Sequence, residues 1–323
     1  MKAFVLNEHS FGLEDVPDPQ CAQDSSLVRV LCTALNHRDQ FIREGLYSQI
    51  KLPAILGSDI CGMAPVSAGE RIIVDPSLNW GDNPRAQGAK YQPIGMPSQG
   101  GLAEYVCVPT SNVHPAPSHL TDEHAAALPL AGVTAYRALF TRAGLQPTDT
   151  VLITGIGGGV ALMAMQFAIA HGARVVVSSR SQEKIDAALE HGAEQGFIYP
   201  FSEADMRRLK ALGIDLIVDS IGGDTINELM DVAVPGGRIA LFGSTLGIAN
   251  KVLLRRIFWK QLSLLGSTMG TPKDFSDMLT FVTNHKIVPI VDSVFDFINT
   301  VQAFNKLKEH RQFGKIVVRV AKG

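Results

Sequence analysis

The chain has 323 residues, of which 46% are hydrophobic and 19% charged, and its formal net charge is −2. This is apolar material enough for a full globular core, at a length that favours two domains. The near-neutral balance argues against a nucleic-acid partner, because phosphate binding needs a concentrated basic face.

The N-terminal run Met1–Leu6 reads as a first strand and lacks the apolar stretch and cleavage site of a signal peptide. Residues 1–120 are β-rich. Short apolar runs such as Ser26–Leu31 and Glu70–Asp75 are bounded by Pro, Gly, Asp and Ser. Cys21, Cys32, Cys61 and Cys107 form no Cys-x-x-Cys pair. They are expected to be free, mostly buried thiols in a reducing, cytoplasmic setting. Pro76–Gly101 is polar and rich in Pro, Gly, Asn and Gln, which predicts a long loop of the functional or lid-like kind. Thr121 opens a helix, as a polar N-cap followed by Asp122 and Glu123.

Beyond Thr121 the pattern alternates. Strands are predicted at Val151–Thr154, Arg174–Ser178, Leu216–Asp219, Arg238–Phe242 and Leu262–Gly266. Helices separate them, including Val160–His171, Gln182–His191 and Thr225–Val232. The pairs Arg207-Arg208 and Arg255-Arg256 read as solvated helix surface. Such alternation predicts an α/β unit with a doubly wound parallel sheet and right-handed crossovers. From Ile287 the chain returns to short strands, ending at Lys315–Val320. The expected organisation is a first domain at 1–121, a dinucleotide-binding insertion at 122–286 and a return to the first domain at 287–323.

Thr150–Ala170 carries no charge and is long enough to span a bilayer. Its central glycines favour strand, turn and buried helix instead, so no membrane partner is expected. Gly155, Gly157, Gly158 and Gly159 let the backbone turn sharply and let a pyrophosphate approach. The helix opening at Val160 would then offer its free N–H groups to the phosphates. The strict Gly-x-Gly-x-x-Gly spacing fails at Val160, whereas Gly155-x-x-Gly158-x-x-Ala161 fits. The following strand ends in Ser178-Ser179-Arg180, with Lys184 one turn on and no carboxylate. A carboxylate there would bind a free ribose 2′-OH, whereas Ser179, Arg180 and Lys184 suit a 2′-phosphate. The expected coenzyme is therefore NADPH. Ser220, after one strand, and Gly243, Ser244 and Thr245, after the next, are expected to flank the ribose and nicotinamide.

Several segments together resemble the medium-chain dehydrogenase/reductase superfamily, and within it the zinc-free quinone oxidoreductase branch. They are Ala34–Asp39, Arg43–Tyr47, Leu56–Asp59, Gly101–Tyr105, Leu130–Tyr136, the glycine turn and the closing Phe313-Gly-Lys315. The resemblance implies a GroES-like β-barrel catalytic domain plus a Rossmann domain, with the coenzyme between them, in a homodimer or homotetramer. Zinc-dependent members bear metal ligands at positions that match Asn36, Ser58 and Leu130, and these side chains do not make a zinc site. Asp59 alone does not make one either, and Asn79–Gln99 lacks the cysteines of a structural zinc lobe. No metal is expected. The segment Gly62–Gly69 is shorter than the family's usual one.

Without zinc to stabilise an alkoxide, hydride transfer to a quinone or an α,β-unsaturated carbonyl is the simpler chemistry. The resemblance places Asn36, Asp39 and Tyr47 at the reacting centre. It places Thr134 against the nicotinamide amide, and Lys315 is assigned to the coenzyme. Thr134 as a helix cap, Tyr47 as packing, and Arg38 as an ion-pair partner of Asp39 or an anion holder remain open. His37 is a weaker acid–base candidate. The alternatives to a reductase of a small-molecule substrate are a non-catalytic NADPH-binding sensor and an alcohol dehydrogenase.

Overall fold

The computed structural model describes residues 1–67 and 69–321. Ala68, in the shortened segment, lies outside the described residues. The chain forms two compact units: Met1–Ala131 with the stretch from Gly270 onward, and Gly132–Met269. The second is inserted in the chain of the first. The units divide at 131/132 and 269/270. The helix Asp122–Ala127 packs on strands of the first unit. The helix Pro272–His285 likewise stays with that unit, setting Phe275 against His114 at 5.0 Å.

In the first unit, strand Ser25–Ala34 is the spine. Its side chains alternate between buried and exposed before the strand becomes buried on both faces, as expected when one half of a strand is covered on a single side. Among the described residues it belongs to a seven-stranded sheet. It pairs antiparallel with Asp59–Met63, Tyr105–Pro109 and the C-terminal strand Lys315–Arg319. Val317 lies opposite Ala34, so the tail rejoins the head. This pairing carries Lys315 towards Asn36. One core gathers Phe4, Leu56, Leu102 and Phe304, and another gathers Val28, Ile60, Ile72 and Val106.

Two of the four cysteines are not free. Cys21 and Cys107 form a disulfide, with Cα atoms 5.3 Å apart. The register that sets Leu27 opposite Cys107 brings the preceding chain across this strand, a closure that sequence spacing cannot show. Cys32 and Cys61 are free and buried. Burial pushes both thiols up, Cys32 to about 12. The stretch 76–101 is anchored as well as loop-like. Ser77–Leu78 pairs with Gln92–Pro93, and Trp80, Ile94 and Met96 are buried.

In the second unit the described residues form a six-stranded, wholly parallel sheet. Its spatial order is Gln195–Ile198, Arg174–Ser179, Thr150–Ile153, Ile214–Asp219, Ala233–Leu241 and Ser263–Gly266. In chain order this is 3-2-1-4-5-6, the doubly wound dinucleotide-binding topology. The sequence pattern does not reveal Gln195–Ile198, whose Gly196 and polar first residue hide a short edge strand. The uncharged run resolves into a strand and the helix Gly159–Ala170, most of whose side chains are buried. No described helix is long and apolar enough to cross a membrane.

Candidate coenzyme site and buried polar cluster

Thr150–Ile153 is the strand at which the sheet order reverses, where ligands of such sheets lie beyond the carboxyl ends. The chain leaves it through Gly155 at φ +65° and Gly157 at φ +117°, backbone angles that side chains disfavour. Gly158 is the N-cap of the helix Gly159–Ala170 and supplies no side-chain cap. A Cβ on Gly158 would meet nothing within 4 Å. Open space beside Gly158 and an uncapped helix start could hold a pyrophosphate. Val160 is the helix's second residue, one step along from Gly159. Lys184 folds over the turn: a Cβ on Gly157 would lie 2.6 Å from its Cδ and 3.3 Å from its Nζ.

The neighbouring turns are tied to this one. Thr154 Oγ1 donates to Asp219 Oδ1 at 2.5 Å and accepts the Ser220 N–H at 3.3 Å. Asp219 also receives the N–H groups of Ile221 at 3.2 Å and Gly222 at 3.0 Å. Thr245 donates to the Ser220 carbonyl at 3.3 Å. Gly243 packs so closely on that carbonyl that a Cβ would stand 2.9 Å from it, and a Cβ on Gly222 would stand 2.8 Å from Ser244 Oγ. Gly155, Ser220, Gly243, Ser244 and Thr245 are thus brought together. Asp219, which organises them, looks from sequence like no more than a strand end. Its signal is the small-residue run that follows it.

At the end of the next strand Ser179 is buried, its Oγ accepting the Ser181 N–H at 3.2 Å. Ser181 caps the helix Gln182–Glu190. Arg180 is exposed and engages no described group, so its guanidinium is available to an anion. The residues present fit a nicotinamide dinucleotide: the glycine turn and helix start for the pyrophosphate, Arg180 and Lys184 for added negative charge. Thr134 lies inside the helix Pro129–Tyr136, not at its N-terminus, which removes the capping reading. Its hydroxyl lies 3.8 Å from the Met269 sulfur.

A polar cluster lies buried in the other unit. Asn36 precedes the helix His37–Arg43, and its backbone N–H donates to Asp39 Oδ2 at 2.8 Å. Asp39 Oδ1 accepts the Gly57 N–H at 3.2 Å. Complete burial pushes the Asp39 carboxyl up, while Arg38 and those two N–H groups pull it down. The Asn36 side chain also has partners outside the helix. Its Oδ1 accepts from Lys315 Nζ at 2.6 Å, and its Nδ2 donates to Asp59 Oδ2 at 2.9 Å. Lys315 also bonds Asp59 Oδ2 at 2.8 Å, and Asp59 Oδ1 accepts the Leu130 N–H at 2.6 Å.

Positions 36, 59 and 130 therefore do meet, but around an ammonium and an amide. Ser58 hydrogen-bonds Ile94 O and Arg38 instead. No group of three or more His, Cys, Asp or Glu suited to a metal exists among the described residues. Arg38 spans Ser58, Ile94 O and Met96 O at 2.9–3.1 Å, and Asp39 only at 4.0 Å. It is chiefly a clamp on the loop. Tyr47 is partly exposed, with the Arg38 guanidinium 5.4 Å from its ring centroid. His37 stacks on His310 at 5.4 Å. Lys315, assigned to the coenzyme from sequence, places its ammonium on Asn36 and Asp59 within this cluster. Asp59 is the partner that sequence reasoning undervalues, since a lone carboxylate is weighed there only as a metal ligand.

Known families match both units. The family described as "Alcohol dehydrogenase GroES-like domain" matches residues 22–118, and "Zinc-binding dehydrogenase" matches residues 159–284. The zinc-type alcohol dehydrogenase-like protein YogA of Leptosphaeria maculans is 31% identical, over 95% of this chain and 94% of that protein. An acryloyl-coenzyme A reductase of Sulfurisphaera tokodaii is 27% identical, over 99% of this chain and all (100%) of its own length. The solved quinone oxidoreductase of Thermus thermophilus, described with NADPH, superimposes with a TM-score of 0.83 at 30% identity, covering 99% of this chain and 100% of that one. Other relatives are named NAD-dependent alcohol dehydrogenases.

Proposed function

Because the chain belongs to the medium-chain dehydrogenase/reductase superfamily, as a zinc-independent NAD(P)H-dependent oxidoreductase of the quinone oxidoreductase-like branch, we propose that it reduces α,β-unsaturated carbonyl compounds or quinones with NADPH. The observation that carries this reading is the cluster at Asn36. Where alcohol dehydrogenation needs a Lewis acid for the alkoxide, this chain presents an amide, a hydroxyl and a carboxylate already paired with Lys315. Reduction of a polarised double bond asks less: hydrogen-bond donors for the oxygen that gains charge, and a proton.

The coenzyme supplies the hydride. The turn Gly155–Gly159 and the helix start at Val160 would hold its pyrophosphate, with Ser220 and Gly243–Thr245 along its ribose and nicotinamide and Thr134 at its amide. Ser179, Arg180 and Lys184 would take a 2′-phosphate. Asn36 and Tyr47 would orient the substrate oxygen, and Asp39 would hold Asn36 in place through its backbone. The relatives named as acryloyl-coenzyme A reductase and quinone oxidoreductase support the substrate class.

The test is a coenzyme-oxidation screen, NADPH against NADH, with 1,4-benzoquinone, trans-2-hexenal and crotonyl-coenzyme A, and with simple alcohols in the reverse direction. Turnover of an unsaturated acceptor, unaffected by a chelator, is expected. Tight NADPH binding without any turnover would sink the reading, and chelator inhibition would sink the metal-free chemistry. Arg180→Ala should raise the KM for NADPH about tenfold or more, as loss of a charge-assisted hydrogen bond implies. An equal rise for NADH would remove Arg180 from coenzyme selection.

We also propose that the chain is a homo-oligomer. Ser263–Gly266 is an edge strand, and beside it in sequence Ile248, Phe258 and Trp259 are 87%, 67% and 75% exposed. Exposed large apolar side chains beside an unpaired strand edge favour an interaction surface.

A further inference from the structure

We propose that Lys315 and Asp59 are positioning residues for Asn36, locking its carboxamide so that one Nδ2–H is presented to the substrate oxygen that becomes negative as hydride arrives. The inference rests on the reductase reading. Its basis is the direction of two hydrogen bonds. Lys315 Nζ can only donate, so the Asn36 atom 2.6 Å from it is the carbonyl oxygen. Asp59 Oδ2 can only accept when ionised, so the atom 2.9 Å from it is the amide nitrogen. A flipped amide would set N–H against ammonium and C=O against carboxylate, both repulsive. The pair therefore selects one of the two orientations of the Asn36 side chain.

The selection leaves a donor over. Nδ2 carries two hydrogens, and one of them goes to Asp59. The other has no acceptor among the described residues. Asn36 retains 8% of its surface, whereas Asp59 is sealed at 0% and Lys315 nearly so at 4%. Asn36 is thus the least enclosed residue of the three. Asp59 is in turn fixed through its other oxygen by the Leu130 N–H. Lys315 holds the Asn36 carbonyl oxygen, and Asp39 takes the Asn36 backbone N–H at the start of the helix. Each of these bonds keeps the amide free to serve the site.

The test is a mutant cycle on the substrate giving the highest wild-type turnover. Lys315→Met and Asn36→Ala should each lower kcat about a hundredfold, the loss typical of one oxyanion donor. The double variant should be no more than a few-fold slower than either single one, since Lys315 acts through Asn36. The dissociation constant for NADPH, read by fluorescence, should stay within about twofold. Lys315→Met leaves a buried carboxylate unpaired, so Asp59→Asn/Lys315→Met provides a charge-neutral version with the same expected loss of kcat and a native-like melt. Lys315→Arg should restore part of the rate. Losses that multiply in the double variant overturn the proposal, as does a weakened NADPH affinity with kcat intact. A wild-type protein that reduces none of the acceptors brings down the reductase reading and this role together; turnover without the non-additive pattern brings down this role alone.

Discussion

At Asp75, enclosure decides the charge. Burial pushes its carboxyl up to about 7, against the pull of the Ser77 N–H and with added repulsion from Asp274. The folded chain then keeps a proton that the unfolded chain gives up from about pH 4. The stability tied to this group is present below that pH and is lost as pH rises through about 7. Asp75→Asn should therefore stabilise the protein increasingly between pH 4 and 7, by up to about 4 kcal/mol, and by a constant amount above. Melting curves of the two proteins across pH 4.5–8.5 check this; parallel curves would show that Asp75 is ionised throughout. Nothing near Asp75 in sequence announces it, since Asp274 comes from a helix far along the chain. In the sequence, Asn36 is a candidate site residue through the family resemblance. Its dependence on Lys315 was not legible there, because 279 positions separate them and only the antiparallel pairing of Val317 with Ala34 joins them.

Helix starts offer a sharper test of the coenzyme site than side chains do. Gly158 has an ordinary negative φ of −80°, and a Cβ there touches nothing in the protein. Gly158→Ala should leave the melting temperature within about 1 °C of wild type, yet weaken NADPH binding about tenfold or more by filling the space the pyrophosphate needs. Gly157→Ala should differ: φ of +117° makes any side chain strained there, at about 1–3 kcal/mol, and Lys184 must move. Equal melting losses at both positions would mean the turn is a structural glycine cluster and not a ligand cradle. Most elements were legible because their apolar periods are long and clean, as in Arg174–Ser179 and Gly159–Ala170. Gln195–Ile198 was not, since a short edge strand with a glycine carries little period to read.

For the whole molecule, the exposed face around Phe258 and Trp259 predicts self-association. Trp259→Glu should shift the protein towards a monomer in sedimentation at micromolar concentration, with NADPH affinity per chain unchanged. A wild type that is already monomeric would refute the oligomer. By itself the sequence determined the fold class, a GroES-like unit with a parallel Rossmann-type sheet, and the glycine turn after that sheet's first strand. Those rest on local periodicity, on the family resemblance and on a glycine run whose Gly155 and Gly157 take positive φ angles that side chains disfavour. It also determined that the zinc ligands are missing, which is a matter of residue identity. Only the tertiary structure decided where the units divide, which cysteines join, and that Lys315 sits on Asn36 and Asp59. Each of these depends on strand pairing between segments distant in the chain, and a hydrogen bond or a disulfide is set by distances that no local pattern encodes.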